Sequence, residues 1–160
     1  MYDLYLSAGC HSAIDIAATS FSPEFISGLD LVFSNEQPGF LSLSLDWKTA
    51  HMLITCLRLH GARGLIIDVK YHNPMVTLEQ ATQIAEEALD KLQKSYPHVR
   101  FNPTRHLRGQ SHPMWWTFVS VGQEWVDAGM TPGRLAVSID KADGQIWSND
   151  DMRRFHESQE

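Results

Sequence analysis

A thiol and an imidazole stand side by side at Cys10 and His11, residue types that serve some enzymes as nucleophile and base. Neighbouring side chains point to opposite faces of a strand, and on a helix they lie about 100° apart, so these two groups cannot face each other directly. A base from elsewhere, such as His51 or His60, would be needed to activate the thiol. Cys56 falls within a predicted helix and is interpreted as a small core residue. The sequence therefore predicts no catalytic residue.

The eight histidines do not show the spacing of a zinc site. Such sites usually take ligands from a close pair such as HxxxH together with a third residue. Here His51 and His60 are nine positions apart, and His106 and His112 are six apart. We therefore interpret these histidines as structural or surface residues and predict no metal. The basic loop around His106 is the alternative, as a local site for an anion or a partner.

The carboxylates Asp140 and Asp143 resemble the beginning of a calcium-binding loop. The segment DKADGQIWSNDD lacks the acidic third ligand, however, and places Gly144 in the wrong register. A hairpin turn in which Gly144 takes a positive φ explains these residues. The chain also contains no phosphate loop, no GxGxxG sequence, no GxSxG elbow and no HExxH motif, so no cofactor is predicted.

The tryptophans give the most unusual signal. Trp115 and Trp116 are adjacent in a predicted strand, so their side chains leave it on opposite faces. One ring can fill the core against the helix predicted over 77–96, and the other must lie on the outer face. With Trp125 near in sequence, that face could be an aromatic binding surface, because tryptophan is enriched at binding hot spots. The alternative is that the first half of the chain covers the outer ring.

Hydrophobic patterning in the first half of the chain predicts the elements that carry these residues. We expect a short strand over 1–6, a hairpin made by 28–35 and 39–47, a helix over 47–60 and a strand over 64–71. Asp46 is the predicted helix cap. The apolar face of that helix is predicted to consist of Ala50, Leu53, Ile54 and Leu57.

The second half begins with a capping box, Thr77 and Gln80, and an amphipathic helix that ends by Pro97. An aromatic strand, a hairpin and a short charged tail, interpreted as a frayed helix, follow. The complete pattern predicts an α+β fold, with an antiparallel curved sheet and two main helices packed on one face. We expect a single domain over 1–160, within which Asn73-Pro74 can separate halves 1–73 and 74–160.

Composition and charge narrow the function classes. The chain has 13 Lys and Arg against 19 Asp and Glu and a formal net charge of −6, which argues against a nucleic-acid ligand and accommodates a basic protein partner. No secretory signal is visible, and no apolar run approaches the roughly 20 residues of a membrane helix. Two cysteines outside any CxxC spacing are typical of a reduced protein. These features predict a cytoplasmic protein without a membrane partner.

The segment 77–147 resembles a known class of module. Its sequences TLEQATQIAEEAL, WWTFVSV and RLAVSIDKADGQI are similar to PepSY-like and cystatin-like modules, and to small immunity proteins of bacterial polymorphic toxin systems that end in this unit. The resemblance implies a non-enzymatic binder that holds a toxin domain through a sheet face or a loop.

The expected function is that of an immunity protein that neutralises a cognate toxin by occluding it. We choose the candidate interface by the chemistry and expected exposure of the residues. The candidate partner-binding residues are Trp115, Trp116, Trp125, Asp127, Asp143, Arg105, His106 and Arg108. The alternative is a small-ligand-binding protein or an enzyme, since a sheet curved around a helix can enclose a pocket. Its polar lining would consist of Cys10, His51, His60 and Asp68. A structural subunit of a larger assembly is a third alternative.

Overall fold

The computed structural model of the chain describes residues 1–6, 39–59, 61–108 and 112–160. The chain divides into two compact units, of which unit 1 is Met1–Asn73 with Ser158–Glu160 and unit 2 is Pro74–Glu157. Cys10, His60 and the predicted strand 28–35 lie outside the described residues.

Unit 1 is an antiparallel sheet with one helix. Its elements are β1 (Tyr2–Leu6), β2 (Gly39–Leu45), α1 (Trp47–Leu59) and β3 (Gly64–Asp68). The described strands are ordered β2-β1-β3. The apolar face predicted for α1 is buried, together with Leu4 and Leu6 of β1 and Ile66 of β3, which confirms that prediction.

The start of α1 follows from the residue before it. The Asp46 carboxylate accepts hydrogen bonds from Thr49 N at 3.1 Å and Thr49 Oγ1 at 2.6 Å, so one side chain satisfies a helix amide that would otherwise lack a partner. These bonds also lower the pKa of Asp46. The predicted cap is confirmed.

The strand predicted over 64–71 is wrong beyond Asp68. Val69–Tyr71 form a single 3₁₀ turn, and Asp68 Oδ1 accepts a hydrogen bond from Lys70 N at 2.9 Å. A side chain that bonds the backbone two residues ahead offers it an alternative to strand pairing. The alternation of apolar residues in this segment is typical of a strand and does not indicate that turn.

Unit 2 contains the second sheet. Its elements are α2 (Leu78–Gln93), β4 (Arg105–His106), β5 (Trp115–Val121), α3 (Gln123–Asp127), β6 (Arg134–Asp140), β7 (Ile146–Trp147) and α4 (Asn149–Glu157). The strands are antiparallel in the order β4-β5-β6-β7. Helix α2 packs on one face of this sheet. The core there consists of Ala81, Ala85, Leu89, Phe118, Val137 and Ile139.

The predicted capping box opens α2. Gln80 N donates to Thr77 Oγ1 at 3.2 Å, and Thr77 N donates to Gln80 Oε1 at 2.8 Å. The helix ends at Gln93, earlier than the sequence pattern indicated.

The predicted α+β class with antiparallel strands is confirmed. The described strands are divided between two sheets, and each sheet has its own main helix, α1 or α2. A single sheet carrying both helices was the expectation. Apolar periodicity shows that a helix has a buried face but not which strands cover it.

Candidate functional site

The adjacent tryptophans of β5 lie on opposite faces of the sheet. Trp116 pairs with Ile139 and packs, half-buried, at the border of the core beneath α2. Trp115 pairs with Asp140 on the other face and is only 6% exposed. The outer ring is therefore withdrawn from the surface, and Trp115 is not available as an aromatic anchor.

An aromatic cluster, defined as His112, Trp115, Trp147, Phe155 and His156, explains this burial. His112 stacks on Trp115 with ring centroids 3.4 Å apart and planes at 9°, and Trp147 lies 4.7 Å from the same ring. Phe155 and His156 of α4 meet the Trp115 ring edge-on, at 5.9 and 6.3 Å. A segment predicted as a frayed tail thus supplies part of the cover.

Asp140 holds the hairpin that ends beside this cluster. Its Oδ2 accepts a hydrogen bond from Trp147 Nε1 at 2.7 Å, and its Oδ1 accepts from Ala142 N at 2.7 Å and Asp143 N at 3.2 Å. The residue is 4% exposed. One buried carboxylate therefore shapes the turn and fixes the indole of Trp147. These contacts agree with the interpretation of Asp140 and Asp143 as residues of a hairpin turn.

His112 and Lys141 occupy a setting that disfavours positive charge. Lys141 Nζ donates to the His112 backbone oxygen at 2.6 Å and lies 5.2 Å from the centre of the Trp116 ring, while burial lowers the Lys141 pKa. Burial, with His156 and Lys141 nearby, lowers the pKa of His112 to about 3. Its Nδ1 accepts from Met114 N at 3.2 Å, and its buried Nε2 has no hydrogen-bond partner among the described residues. The imidazole is thus neutral at pH 7.

Helix α3 fixes an aromatic ring near the surface. Trp125 is half-buried and meets the rings of Tyr96 and Phe101 edge-on, at 4.9 and 5.2 Å. The ring also lies directly against the backbone of Gly122, where a Cβ would stand 2.9 Å from Trp125 Cε3. Three contacts therefore hold the indole in one orientation, and Tyr96 remains 42% exposed.

Exposed apolar and acidic residues follow Trp125 in the chain. Val126 is 48% exposed, and Met130, whose amide donates to the Trp125 oxygen at 2.8 Å, is 56% exposed. Asp127 is exposed and accepts a hydrogen bond from Gln123 Nε2 at 2.8 Å. We call this region the α3 surface. It consists of Tyr96, Trp125, Val126, Asp127 and Met130.

An ion pair fixes the beginning of α3. Arg100 Nε donates to Glu124 Oε1 at 2.7 Å, and Arg100 N donates to Glu124 Oε2 at 2.6 Å. These bonds lower the pKa of Glu124 to about 2, so its charge persists at neutral pH. The pair is exposed and contributes little to stability, but it orients the helix.

The remaining predicted binding residues are placed elsewhere on unit 2. Arg105 and Arg108 are exposed, and Asp143 is exposed in the β6–β7 turn. His106 is half-buried, with its ring 5.4 Å from that of Phe118 and its Nε2 buried without a hydrogen-bond partner in the described part of the chain. Burial lowers the pKa of His106, and the positive charges of Arg108 and Lys141 lower it further.

Three residues that sequence reasoning did not connect meet in unit 1. His72 Nδ1 lies 3.1 Å from Asp3 Oδ2, and Ser42 Oγ lies 3.2 Å from both ring nitrogens of His72. These are the residue types of a Ser-His-Asp triad. An oxygen on the axis of the Nε2 lone pair would lie much farther from Nδ1 than from Nε2. The equal distances therefore show that Ser42 is not aligned to transfer its proton to His72.

A structural role accounts for Asp3. Its Oδ1 accepts hydrogen bonds from Leu43 N at 2.8 Å and Ser44 N at 2.9 Å, and the residue is 3% exposed. Ser44 has a φ of +49°, which side-chain-bearing residues rarely adopt, and the pairing of β1 with β2 shifts register here. The carboxylate satisfies two amides that this irregularity turns away from the ladder.

A groove of about 360 Å³ lies between α2 and the strands β6 and β7. Its apolar lining includes Ile84, Leu92, Val137 and Ile146, and its polar lining is Glu87 and Lys91. Leu92 is 42% exposed and Ile146 is 50% exposed, so the groove opens to solvent. His51 and Asp68, predicted as the polar lining of a pocket, belong to unit 1 and do not line it.

Neither a metal-ligand cluster nor a membrane-spanning helix is present in the described ranges. The described residues contain no group of three or more His, Cys, Asp or Glu side chains that could hold a metal ion. Within the same ranges, no helix has the length and apolar character needed to cross a membrane. No family model, curated protein or solved structure matches the chain.

Proposed function

We propose that this chain is a protein-binding module whose α3 surface contacts the partner. A binding hot spot combines a large aromatic ring with neighbouring groups that exclude water. Trp125 is already held by Tyr96 and Phe101, so little side-chain entropy is lost when a partner covers it. The pre-positioned Trp125 ring is the observation that carries the proposal, and the exposed Val126 and Met130 follow it in the chain.

Charge indicates the chemistry of the partner. Asp127 lies on the α3 surface, and the chain as a whole carries a formal net charge of −6. Complementary charge accelerates encounter and suppresses unsuitable partners. A basic protein domain with an apolar patch at the centre of its contact area fits this surface best.

The narrower proposal is a cytoplasmic immunity protein that neutralises a cognate bacterial toxin by occluding it. The resemblance of segment 77–147 to the unit found in such proteins supports it, and α3 lies inside that segment. Neutralisation by occlusion requires surface complementarity and no catalytic group.

The first experiment is a tagged pull-down from the native host, followed by affinity measurements with the captured partner. Trp125→Ala is expected to weaken binding by at least about 2 kcal/mol, which is roughly 30-fold in Kd. Asp127→Lys, at an exposed position, is expected to slow association with a basic partner and to change the salt dependence of its rate. Isothermal calorimetry and stopped-flow measurements give these two quantities.

A control variant separates the α3 surface from exposed apolar area in general. Met75 belongs to unit 2 and is 82% exposed, so Met75→Ala should leave the affinity unchanged. If Trp125→Ala and Asp127→Lys both bind as the wild-type chain does while the partner is captured, the contact lies elsewhere. Circular dichroism of Trp125→Ala shows whether its fold is intact.

The groove between α2 and the sheet favours a second candidate, a small-ligand-binding protein. Ligand pockets commonly occupy roughly 300–1,000 Å³ and are mostly apolar, with few polar groups that orient the ligand. The groove falls within that range, at about 360 Å³, and its polar side carries the positive charge of Lys91 next to the negative charge of Glu87. The class of ligand proposed for this lining is an apolar chain with one carboxylate, which would bind Lys91 and take the place of Glu87 as its neighbour.

Decanoate is a suitable probe of this second candidate. If the groove binds such molecules, decanoate should raise the Tm of the wild-type chain and of Met75→Ala, because a ligand that binds the folded state stabilises it. Ile146→Asp should abolish the shift, since it places a carboxylate in the apolar lining. The absence of any shift in the wild-type chain would reject an apolar carboxylate as the ligand.

A further inference from the structure

The outer edge of β3 is closed by a side chain. Ile66 N donates to Gln159 Oε1 at 2.7 Å, and Gln159 Nε2 donates to Ile66 O at 3.2 Å. Arg58 reinforces the closure, because its Nη2 donates to Gly64 O at 2.9 Å and its Nη1 donates to the backbone oxygen of Gln159. Gln159 is only 5% exposed. Both outward-facing backbone groups of Ile66 are therefore satisfied.

A carboxamide carries the same donor and acceptor as a peptide group. The two bonds between Gln159 and Ile66 are accordingly those that a residue of a neighbouring antiparallel strand would exchange with Ile66. A strand edge with free N–H and C=O groups is a template for pairing with another chain, and proteins block such edges. Gln159 thus occupies the position of one residue of a fourth strand.

We propose that the Gln159 side chain, here called the plug, blocks the edge of β3. When the plug is withdrawn, this edge pairs with the same edge of a second copy of the chain. The pairing is antiparallel and two-fold symmetric about Ile66, as an isologous dimer requires. Ile66 of each copy then makes with its counterpart the two backbone bonds now made by Gln159.

Charge complementarity selects a second copy as the occupant. In this register Gly64 stands opposite Asp68 of the second copy, since both are two positions from the symmetry centre. Arg58 now bonds to Gly64 O and to Gln159, so withdrawal of the plug leaves its guanidinium beside Asp68 of the second copy. The two-fold operation forms this Arg–Asp contact twice. Like charges are not brought opposite each other.

Sedimentation velocity of Gln159→Ala tests the proposal. The wild-type chain should show a mass that is independent of concentration, and Gln159→Ala should rise toward twice that mass as its concentration increases. Gln159→Glu should also dimerise, because a carboxylate cannot donate to Ile66 O. Glu160→Gln, at the exposed neighbouring position, is the matched control and should keep the wild-type mass.

A second substitution tests the register. The double variant Gln159→Ala, Asp68→Arg brings Arg58 of one copy next to the new arginine of the other copy, so its mass should return to the wild-type value. Asp68→Arg alone should have the wild-type mass. Amide exchange at Ile66 should be slow in the wild-type chain and in the dimer. The proposal is overturned if the Gln159 variants keep the wild-type mass at every concentration, if they form open-ended aggregates, or if Asp68→Arg leaves the dimer intact.

Discussion

Asp140→Ala is expected to lower the free energy of unfolding by at least about 3 kcal/mol, because three donors lose their acceptor at a buried position. The indole Nε1 of Trp147 and the amides of Ala142 and Asp143 all bond to the Asp140 carboxylate, which is 4% exposed. Alanine supplies no acceptor for these three donors. Urea denaturation followed by tryptophan fluorescence measures the loss.

Asp143→Ala is the matched control within the same turn. Asp143 is exposed, and its Oδ1 accepts a single hydrogen bond, from Gln145 N at 3.0 Å, so its loss should cost about 1 kcal/mol or less. Asp140→Asn retains one acceptor oxygen and should fall between the two. Equal destabilisation by Asp140→Ala and Asp143→Ala would show that the buried carboxylate does not hold the hairpin.

Near-ultraviolet circular dichroism extends the test to the aromatic cluster. Trp147 stands 4.7 Å from Trp115, and its orientation depends on the bond to Asp140. The coupled signal of the two indoles should decrease in folded Asp140→Ala and persist in Asp143→Ala.

The helices were predictable because their signals are local. Asp46 and the apolar stripe of α1 lie within one segment, and the same holds for Thr77, Gln80 and the apolar face of α2. Caps and periodicity operate over three or four residues, so a single sequence displays them.

The polar networks were not predictable for the opposite reason. Asp3 bonds to an amide 41 positions away, and Gln159 bonds to Ile66 over 93 positions. Such pairs leave no periodic trace, and a buried Asp or Gln looks in sequence like an exposed one. The acceptor role of Asp140 within its turn was more predictable from the sequence, since Asp commonly bonds the amides that follow it.

The candidate site was predictable in part. Strand alternation correctly placed Trp115 and Trp116 on opposite faces, but the cover over Trp115 comes partly from Phe155 and His156, aromatic residues within a charged segment. Residue type alone selected Trp125 and Asp127, which share α3. The ring contact with Tyr96 depends on the path of the chain after α2, which no local pattern specifies.

His112 is expected to make stability depend on pH in acid. Its pKa is lowered from 6.5 to about 3 in the folded state, so between these values the unfolded chain binds the proton and the folded chain does not. The contribution is fully present above pH 6.5 and is lost progressively as pH falls toward about 3. Each pKa unit corresponds to about 1.4 kcal/mol, which makes the whole loss roughly 4 to 5 kcal/mol.

The physical cause is the surroundings of the imidazole. It is stacked on Trp115, and protonation would place a charge beside His156 and Lys141 with little solvent to compensate. Nitrogen-15 NMR of the ring should therefore show a neutral His112 well below pH 6.5.

The comparison of His112→Gln with the wild-type chain isolates this contribution. Glutamine can accept the hydrogen bond of Met114 N but does not titrate, so the stability of the variant should fall less steeply below pH 6.5 even if it starts lower. His98→Gln, at an exposed position of the same unit, should reproduce the wild-type slope. Parallel pH profiles for His112→Gln and the wild-type chain would mean that His112 can be protonated in the fold, and that the aromatic cluster opens to solvent in acid without unfolding.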